Sequence, residues 1–419
     1  MSAEERIRPA WMREPALQKV VAALGSDGGE VRFVGGCVRD SLAGRPVKDI
    51  DLATADPPQV VMRKLAAAGL KSAPTGLAHG TVTAISDGKG FEVTTLRRDL
   101  ETDGRRAKVG FTDDWLADAA RRDLTINAMS LTPEGQLFDP FDGKADLAAG
   151  RVRFVGEAAQ RIAEDHLRLL RFFRFYAHYG RGPLDPEARA AAQALAPKLR
   201  SLSVERLRDE LLRLLAAPDP LPVLREMAAL GVLAEALPEV DGLGRLQAYL
   251  PREVQAGTAP DPLLRLACLI DWGAAAVTAL ARRLKLSNAQ RRRLETVTAL
   301  AREPGLSSDR LEFLLHRHGR ASLRAALLLF WSALEQAGQP PAAAEVAAVL
   351  DRLTGWHCKE FPLRGQDLLD AGVRPGPAVG ALLEAMESWW LATGRPDRDV
   401  CLQELKARAK AKRQPAAET

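Results

Sequence analysis

The pattern of hydrophobic residues changes near residue 150, and this change limits the folds open to the chain. Before it, short runs typical of β-strands alternate with helical stretches. The strand-like runs are VRFVGG (31–36), DIDLAT (49–54), GTVTAIS (80–86), FEVTTLR (91–97) and QLFDPF (136–141). After it, almost every stretch has the 3.6-residue period of an amphipathic helix. The sequence therefore predicts an α+β fold: a head with a small mixed sheet, then helices to the end of the chain.

Proline-rich breaks divide the helical part. A chain of 419 residues is long enough for about three domains. The candidate joints are APDPLP (217–222), TAPDP (258–262) and EPG (303–305). We predict a head at 1–149, a neck at 150–220, a body at 221–305 and a tail at 306–419, with a basic end (406–419) that frays.

Composition indicates an ordinary globular protein. The net charge of +5 suits a nucleic-acid or nucleotide partner without requiring one. Cys37, Cys268, Cys358 and Cys401 lie too far apart for zinc or redox motifs, so we expect packed, reduced thiols. The charged N-terminus and the lack of a long apolar run predict a cytoplasmic protein with no membrane span. Nothing in the sequence indicates an oligomeric state.

The segment GGCVRDSLAGRPVKDID (35–51) contains the most specific chemistry. If 49–54 is a strand, Asp49 and Asp51 point to the same side. Carboxylates this close repel each other unless a cation lies between them, and Mg²⁺ prefers such oxygen ligands. Glu92, in a neighbouring strand-like run, can add a third carboxylate. A solvated turn is the commoner fate of an isolated D-x-D, so these residues alone do not establish a site.

The glycine pair before this segment favours a phosphate site. Gly35 and Gly36 follow a strand and precede a short helix, so backbone N–H groups and the side chain of Arg39 can face a phosphate. The spacing is neither that of a Walker A loop nor that of a Rossmann fingerprint.

GGCVRDSLAGRPVKDIDLAT (35–54) resembles the signature of the polymerase-β-type nucleotidyltransferases that build the CCA end of tRNA, in their class II branch; bacterial poly(A) polymerases share this head. The similarity continues through LRRDLETDGRRAKVGFTDDWLADAARRDLTINAM (96–129), FDPFDGKADL (138–147), EDHLRLLRFFRF (164–175) and RRLKLSNAQRRRL (282–294). The resemblance implies a nucleotidyltransferase head followed by helical neck, body and tail domains, of which the tail (306–419) binds tRNA. It implies Mg²⁺ as cofactor, and tRNA, CTP and ATP as partners. It also implies a flexible loop before the RRDLTINA motif.

The resemblance implies that the segment EDHLRLLR selects the nucleotide. If Asp165 and Arg168 are helical neighbours three positions apart, they present a carboxylate beside a guanidinium. This pair can accept from the amino group and donate to the ring nitrogen of cytosine or adenine, and it rejects uracil and guanine, which carry a carbonyl in that place. A surface salt-bridge ladder is the commoner fate of charges at this spacing.

Further roles follow from the resemblance. Nucleotide binding is expected from Gly36, Arg39, Arg122, Asp123, Asn127, Asp165, Arg168, Arg171 and Arg174, and catalysis from Asp49, Asp51 and Glu92, with both aspartates holding metal. Asp123 and Asn127 bind the ribose or brace their loop. We expect Asp139 and Asp142 to organise a turn, His79 to lie in a loop or line the site, and Cys37 to fill space.

The resemblance therefore predicts template-independent addition of CCA to tRNA from CTP and ATP, with release of pyrophosphate. A poly(A) polymerase and an enzyme that adds only CC or only A remain alternatives. The complete loop at 94–115 favours full addition, because CC-adding enzymes tend to lack it. A scaffold that binds tRNA without catalysis is disfavoured by the presence of both aspartates and the arginine set.

Overall fold

The computed structural model describes residues 6–103, 106–302, 311–355 and 360–411. Its N-terminal part combines a sheet with five α-helices, and the remainder is helical. The predicted α+β fold, with a small mixed sheet in the head, is therefore confirmed. EPG (303–305), His357, Cys358 and the last eight residues lie outside the described part, so the expectations for them stay predictions.

The head contains a seven-stranded sheet and a separate two-stranded hairpin. The sheet has the strand order β3-β4-β5-β2-β1-β8-β9, in which only the β2–β5 pair is parallel. Its strands are β1 (Val31–Val34), β2 (Asp51–Thr54), β3 (Lys71–Gly76), β4 (Thr81–Ser86), β5 (Lys89–Thr95), β8 (Ser130–Leu131) and β9 (Leu137–Phe138). The hairpin pairs β6 (Arg97–Asp103) with β7 (Arg106–Phe111). The predicted flexible loop thus has the backbone of a hairpin.

Five short helices surround the sheet. They are α1 (Pro15–Leu24), α2 (Gly36–Leu42), α3 (Pro58–Ala67), α4 (Trp115–Ala120) and α5 (Gly143–Ala149). The side chain of Asp114 accepts the backbone N–H groups of Leu116 and Ala117 and so caps α4. Single 3₁₀ turns cover Ala10–Arg13, Leu77–His79 and Thr125–Asn127 in the head and Ala196–Ser201 beyond it.

The helical part begins with α6 and ends with α20. Its helices are α6 (Ala158–Glu164), α7 (Leu167–Tyr179), α8 (Pro186–Leu195), α9 (Val204–Leu215), α10 (Leu221–Ala229), α11 (Val232–Ala236), α12 (Gly244–Gln255), α13 (Pro262–Ala267), α14 (Ala274–Arg283), α15 (Asn288–Arg302), α16 (Leu311–Gln336), α17 (Ala343–Gly355), α18 (Gly365–Asp370), α19 (Pro377–Ala392) and α20 (Arg398–Ala411). The joints predicted at 217–222 and 258–262 separate α9 from α10 and α12 from α13. Residues 406–411 are helical, so the prediction that the end frays from 406 is wrong for them.

Three larger hydrophobic cores hold these elements. One lies in the head and contains residues between Met12 and Leu131. A second runs through most of the helices and contains residues between Leu124 and Leu353. A third, between Leu363 and Leu405, belongs to α18–α20. The predicted domain edges at 220 and 305 fall within the span of the second core, and they stay predictions.

Helix α7 connects the head to the helical part. Its buried face carries Leu169, Leu170, Phe172 and Phe173, which recur at helical spacing. Phe172 stacks on Phe154 with the ring centroids 5.5 Å apart. Packing of this face turns the arginines at 168, 171 and 174 toward a different side, so the hydrophobic pattern sets the direction of the charged side chains.

Smaller features complete the fold. Ser287 and Gln290 form a capping box at the start of α15, with N···O distances of 2.9 and 3.2 Å. The three cysteines within the described residues, Cys37, Cys268 and Cys401, are buried free thiols. Over the described ranges, we find no helix with the length and apolar character needed to span a membrane.

Candidate functional site

A cavity of about 440 Å³ lies between the head and helix α7. We call it the central cavity. Head residues from the β1–α2 turn, β2, β5 and the segment 118–127 line one side. The first turns of α7 and Arg206 of α9 line the other. The site predicted from two distant parts of the sequence is therefore brought together in space.

Two carboxylates lie side by side on the sheet wall of this cavity. Asp51 and Glu92 are direct partners in the parallel β2–β5 pair, so their side chains leave the same face. Both residues line the cavity. This arrangement supports the expectation that a neighbouring strand adds a third acidic group to the pair at 49 and 51.

Asp49 differs from its predicted position. Strand β2 begins at Asp51, so Asp49 lies before the strand, is exposed and does not line the central cavity. The argument from strand alternation is therefore wrong for this residue, because residues 45–50 have no regular secondary structure. Its charge still acts on Asp51, which requires the two carboxylates to be close.

The electrostatics of Asp51 favour a bound cation. Burial, the carboxylate of Glu92 and that of Asp49 raise the pKa of Asp51 to about 6, and Arg122 opposes this shift. Among the described residues, no three His, Cys, Asp or Glu side chains form a metal site on their own. The carboxylate oxygens of Asp51 and Glu92 are the ligand type that suits a hard cation such as Mg²⁺, which keeps further positions for phosphate oxygens and water.

The glycine step places backbone at the cavity wall. Gly35 has a φ of 70°, a conformation that favours glycine, and it leads into α2 at Gly36. An added Cβ at Gly35 would lie 3.4 Å from Nη1 of Arg122. Both glycines line the cavity, so a phosphate can approach the backbone here beside Arg39 and Arg122.

Arg122 is held by a buried acid that sequence reasoning missed. Nη2 of Arg122 donates to Oδ2 of Asp118 at 3.0 Å, and Nε of Arg121 donates to Oδ1 of the same residue at 2.9 Å. Burial alone would raise the pKa of Asp118, but the two arginines and the backbone N–H of Arg97 lower it. Asp118 thus orients the guanidinium groups of Arg121 and Arg122, and it anchors the start of the β6–β7 hairpin through the backbone N–H of Arg97.

Asp123 and Asn127 connect two arginines of the cavity. Nε of Arg171 donates to Oδ2 of Asp123 at 2.7 Å, and Nδ2 of Asn127 donates to Oδ1 at 3.0 Å. Nη1 of Arg39 in turn donates to Oδ1 of Asn127 at 2.6 Å. All four residues line the cavity. Two roles were expected for Asp123 and Asn127, ribose binding and bracing of their loop. This series of hydrogen bonds supports bracing.

Asp165 lies outside the helix on which the base-selection argument placed it. Its φ of −151° and ψ of 105° form an extended break between α6 and α7, and α7 begins at Leu167. The premise that Asp165 and Arg168 are neighbours on one helix is therefore wrong. Instead Oδ1 of Asp165 accepts the N–H of Leu167 at 3.1 Å, and Oδ2 accepts Nη2 of Arg206 at 2.6 Å.

Arg168 pairs with a different acid. Its Nη1 donates to Glu164, and its Nη2 donates to the carbonyl oxygen of Arg121 at 3.1 Å. Part of the alternative interpretation, a local ion pair on this segment, is therefore present. Asp165 and Arg168 nevertheless both line the central cavity, so their exposed edges remain available to one ligand.

Arg171 and Arg174 occupy different environments. Arg171 lines the cavity, whereas Arg174 does not. Nε of Arg174 donates to Oε2 of the buried Glu210 at 2.5 Å, and its guanidinium lies 4.0 Å from the ring centroid of Phe175. The structure therefore gives Arg174 a packing partner rather than direct access to the cavity.

Four charged residues of the cavity were missed from the sequence: Arg97, Asp118, Arg121 and Arg206. Arg121 and Asp118 were within reach of prediction, since they adjoin Arg122 in the quoted motif. Arg206 carried no local signal, because it lies on α9 and approaches Asp165 only through packing of α9 against α7.

Other singled-out residues lie elsewhere. His79 is exposed, its carbonyl accepts Nη1 of Arg97 at 2.7 Å, and it does not line the cavity, which agrees with a loop role. Cys37 is buried, as expected of a filler, and burial raises its pKa to about 11. Asp139 accepts the backbone N–H groups of Gly143 and Lys144, and so organises the predicted turn.

Comparison with known proteins gives two family matches. The family described as "Poly A polymerase head domain" matches residues 31–153. The family described as "Probable RNA and SrmB- binding site of polymerase A" matches residues 183–243. The first match contains the sheet wall of the central cavity, and the second contains Arg206.

Individual relatives match nearly the whole chain. It is 34% identical over 403 residues to "CCA tRNA nucleotidyltransferase 1, mitochondrial" of Mus musculus, covering 93% of this chain and 89% of the relative. It is 33% identical over 373 residues to the "CCA-adding enzyme" of Lactobacillus delbrueckii subsp. bulgaricus, covering 88% and 90%. The crystal structure of the Bacillus stearothermophilus CCA-adding enzyme in complex with CTP has a TM-score of 0.72 and 26% identity, with 95% of this chain and 99% of that chain covered.

Proposed function

Because this chain belongs to the family of CCA-adding tRNA nucleotidyltransferases, we propose that it adds C, C and A in turn to the 3′ end of tRNA from CTP and ATP. The observation that carries this proposal is the central cavity, in which Asp51 and Glu92 of the head face Asp165 and Arg168 of the neck. One cavity thus holds acidic groups suited to phosphoryl transfer and polar groups suited to reading a base.

Nucleotidyltransferases of this family use divalent metal ions. We propose Mg²⁺ as the ion, held by Asp49 and Asp51, with Glu92 as an adjacent carboxylate. When bound, it would lower the pKa of the attacking 3′-hydroxyl and stabilise the leaving pyrophosphate. The raised pKa of Asp51, to about 6, is consistent with a site designed for a positive charge.

The chain's own residues bind and orient the substrates. Gly36, Arg39 and Arg122 would contact the triphosphate, and Arg171 would add a fourth group from α7. Asp123 and Asn127 hold Arg39 and Arg171 in place through hydrogen bonds of 2.6–3.0 Å. These cations neutralise charge on the phosphates, while the preset hydrogen bonds reduce the ordering needed when the nucleotide binds.

Base choice would use the edges of Asp165 and Arg168. The carboxylate of Asp165 accepts from the amino group of cytosine or adenine, and Arg168 donates to the ring nitrogen. Arg206 pairs with Asp165, and Glu164 pairs with Arg168, so each of the two side chains is oriented by an ion pair. Arg174 would act through Glu210 rather than by touching the nucleotide.

An incubation with tRNA tests the proposal. We would supply tRNAs ending in the discriminator base, in C and in CC, with Mg²⁺ and labelled CTP or ATP, and measure product length. We expect growth to CCA and no further. Long tails of A would instead identify a poly(A) polymerase, growth that stops at CC or adds only A would identify a partial enzyme, and no incorporation would favour a scaffold.

The predicted cytoplasmic location is not settled by the relatives, because the curated name of the mouse relative includes "mitochondrial". We propose a cytoplasmic location on the sequence features given above. Fractionation of cells that express the tagged full chain would test it.

A further inference from the structure

A second cavity, of about 390 Å³, lies at the other end of α7. The end of α2, the α5 helix and the residues that finish α7 form its wall. Arg168 of α7 lines the central cavity, whereas His178 and Tyr179 line the second one. The same helix therefore connects two separate cavities.

The second cavity has a strongly positive lining. Arg45, Lys144 and Arg181 contribute cationic side chains, and the described residues that line it include no acidic side chain. Burial is the main cause that lowers the pKa of His178; the cations of Arg174, Arg45 and Arg39 lower it further, and the hydrogen bond with the carbonyl oxygen of Arg213 opposes the shift. Asp40 accepts a hydrogen bond from the hydroxyl of Tyr179, but it is already paired with Arg39 at 2.9 Å.

Two of these cations are held in position. Nη2 of Arg45 donates to the carbonyl oxygen of His178 at 2.5 Å, and its guanidinium lies 4.2 Å from the ring centroid of Tyr179. Nη2 of Arg181 donates to the carbonyl oxygen of Ala148 at 2.5 Å. A guanidinium carries five N–H groups, so one hydrogen bond orients each side chain while other donors can meet an oxyanion.

The two cavities lie along one helix. The part of α7 from Arg168 to Tyr179 is about 16 Å long at 1.5 Å per residue. The residues of α7 that line the central cavity extend to Phe175, one turn before Tyr179. An RNA strand that follows α7 with its 3′ end in the central cavity would therefore bring a backbone phosphate to the second cavity within a few nucleotides.

The proposed function supplies one polyanionic partner for this cavity, the tRNA. The family match described as "Probable RNA and SrmB- binding site of polymerase A" covers residues 183–243, so it follows the cavity in sequence and contains none of its lining residues. We propose that the second cavity binds a backbone phosphate of the tRNA acceptor end. This inference rests on the proposed function, and it assigns a tRNA contact surface at the junction of head and neck.

The salt dependence of binding tests the proposal. Dissociation constants of a synthetic acceptor-stem RNA would be measured between about 50 and 200 mM salt for the full-length wild type, Arg45→Gln and Lys144→Gln. Lys19→Gln is a matched control, since Lys19 is exposed, pairs with Asp87 and lies outside both cavities. We expect each cavity variant to bind about three- to fivefold more weakly at low salt, with a slope reduced by about 0.7–0.9.

A change in the RNA locates the contact. Replacing single phosphates three to seven nucleotides from the 3′ end by neutral methylphosphonates should remove the effect of Lys144→Gln at one position, because the two changes then delete the same interaction. Additive effects at every position would overturn the proposal. So would cavity variants that behave like Lys19→Gln.

Two further readouts separate the possible explanations. An unchanged KM for CTP in the variants shows that the fold and the central cavity are intact. If the variants alter inhibition by inorganic pyrophosphate but not RNA binding, the cavity binds a free phosphate compound and the proposal is wrong. Wild-type incorporation of CCA with no effect of the variants would refute this inference alone, whereas absence of incorporation would refute the proposed function.

Discussion

The surroundings of Asp51 disfavour its charged form. It lies partly buried next to Glu92 and close to Asp49, and this environment raises its pKa to about 6. The fold keeps three acidic groups together although they repel one another. Such an arrangement costs stability unless a cation is bound, so we interpret it as a site kept for chemistry.

Replacing Asp51 by alanine should remove catalysis selectively. We expect Asp51→Ala to lower nucleotide incorporation by at least about a thousandfold, on the scale of losing a main electrostatic group. The Kd for tRNA, measured by filter binding, should change less than about threefold. Asp399→Ala, in the first turn of α20, is the control and should retain activity. Activity of Asp51→Ala near the wild-type level would refute the assigned role.

Asp123 should make stability depend on pH. Burial alone would raise its pKa, but Arg171 and the hydrogen bond from Asn127 lower it below the ordinary value. The charged form therefore stabilises the fold above the unfolded pKa of about 3.9, and this contribution is lost as the pH falls through the folded pKa. We expect Asp123→Asn to reduce the free energy of unfolding by about 2–3 kcal/mol at pH 7.

Denaturant unfolding at pH 7 and at pH 3 checks this expectation. The difference between the wild type and Asp123→Asn should shrink at the lower pH, because pH 3 lies below the unfolded-state pKa of about 3.9 and protonation of the unfolded chain offsets part of the contribution. A difference of the same size at both pH values would show that the charge of Asp123 does not contribute.

The pairing of α9 with α7 controls the shape of the base-reading edge. Arg206 of α9 binds Asp165, and Glu210, one turn further along α9, binds Arg174. Asp165 lies in an extended break, where its own backbone holds it less firmly than a helix would. The orientation of its carboxylate therefore depends on a neighbouring element.

Removing Arg206 should weaken base choice. We expect Arg206→Ala to reduce discrimination between CTP and UTP by about tenfold, equivalent to about 1.4 kcal/mol. Competition between the two nucleotides on tRNA ending in the discriminator base measures this ratio. Arg208→Ala is the matched control, because Arg208 lies on the same helix and pairs with Asp209 outside the cavity. Equal loss in both variants would point to a general effect on α9.

The helices could be predicted from the hydrophobic spacing of the sequence. The positions of the side chains that they orient could be predicted only in part. Hydrophobic spacing in α7 gave its buried face, and the motifs placed Asp51, Arg122 and Arg171 at one site. The break before Leu167 was not visible, because the charges at 164, 165 and 168 also fit a continuous helix. Likewise the contact of Arg206 with Asp165 spans 41 residues of sequence, and no local rule predicts it.

At the scale of the whole molecule, α18–α20 have a hydrophobic core of their own. This indicates that these helices can be removed without unfolding the rest of the chain. Leu368, Met386, Trp390 and Leu405 are buried in this core, apart from the core that contains α7. The link to α16 consists of ion pairs such as Arg317–Glu384 and of His316, which bonds Glu387 and whose ring centroid lies 5.2 Å from that of Trp390. Exposed ion pairs contribute little to stability, so this small link should be weaker than the packing on either side.

Truncation after Gly355 tests this division. We expect the shortened chain to keep a cooperative thermal transition and a KM for CTP within about threefold of the full chain, since the central cavity is intact. Its affinity for tRNA should fall by about tenfold or more, because the predicted tail makes backbone contacts. Loss of the thermal transition would show that α18–α20 are part of one folding unit.

The central claim is that side chains of one cavity perform the transfer and choose the base. It is tested most directly by measuring incorporation of all four nucleotides on tRNA ending in C by the wild type and by Asp165→Ala. We expect the wild type to accept CTP and reject UTP and GTP by about a hundredfold or more, on the basis of about 1–3 kcal/mol per base contact. Asp165→Ala should continue to add nucleotides but admit UTP and GTP. Unchanged selectivity in this variant would contradict the account.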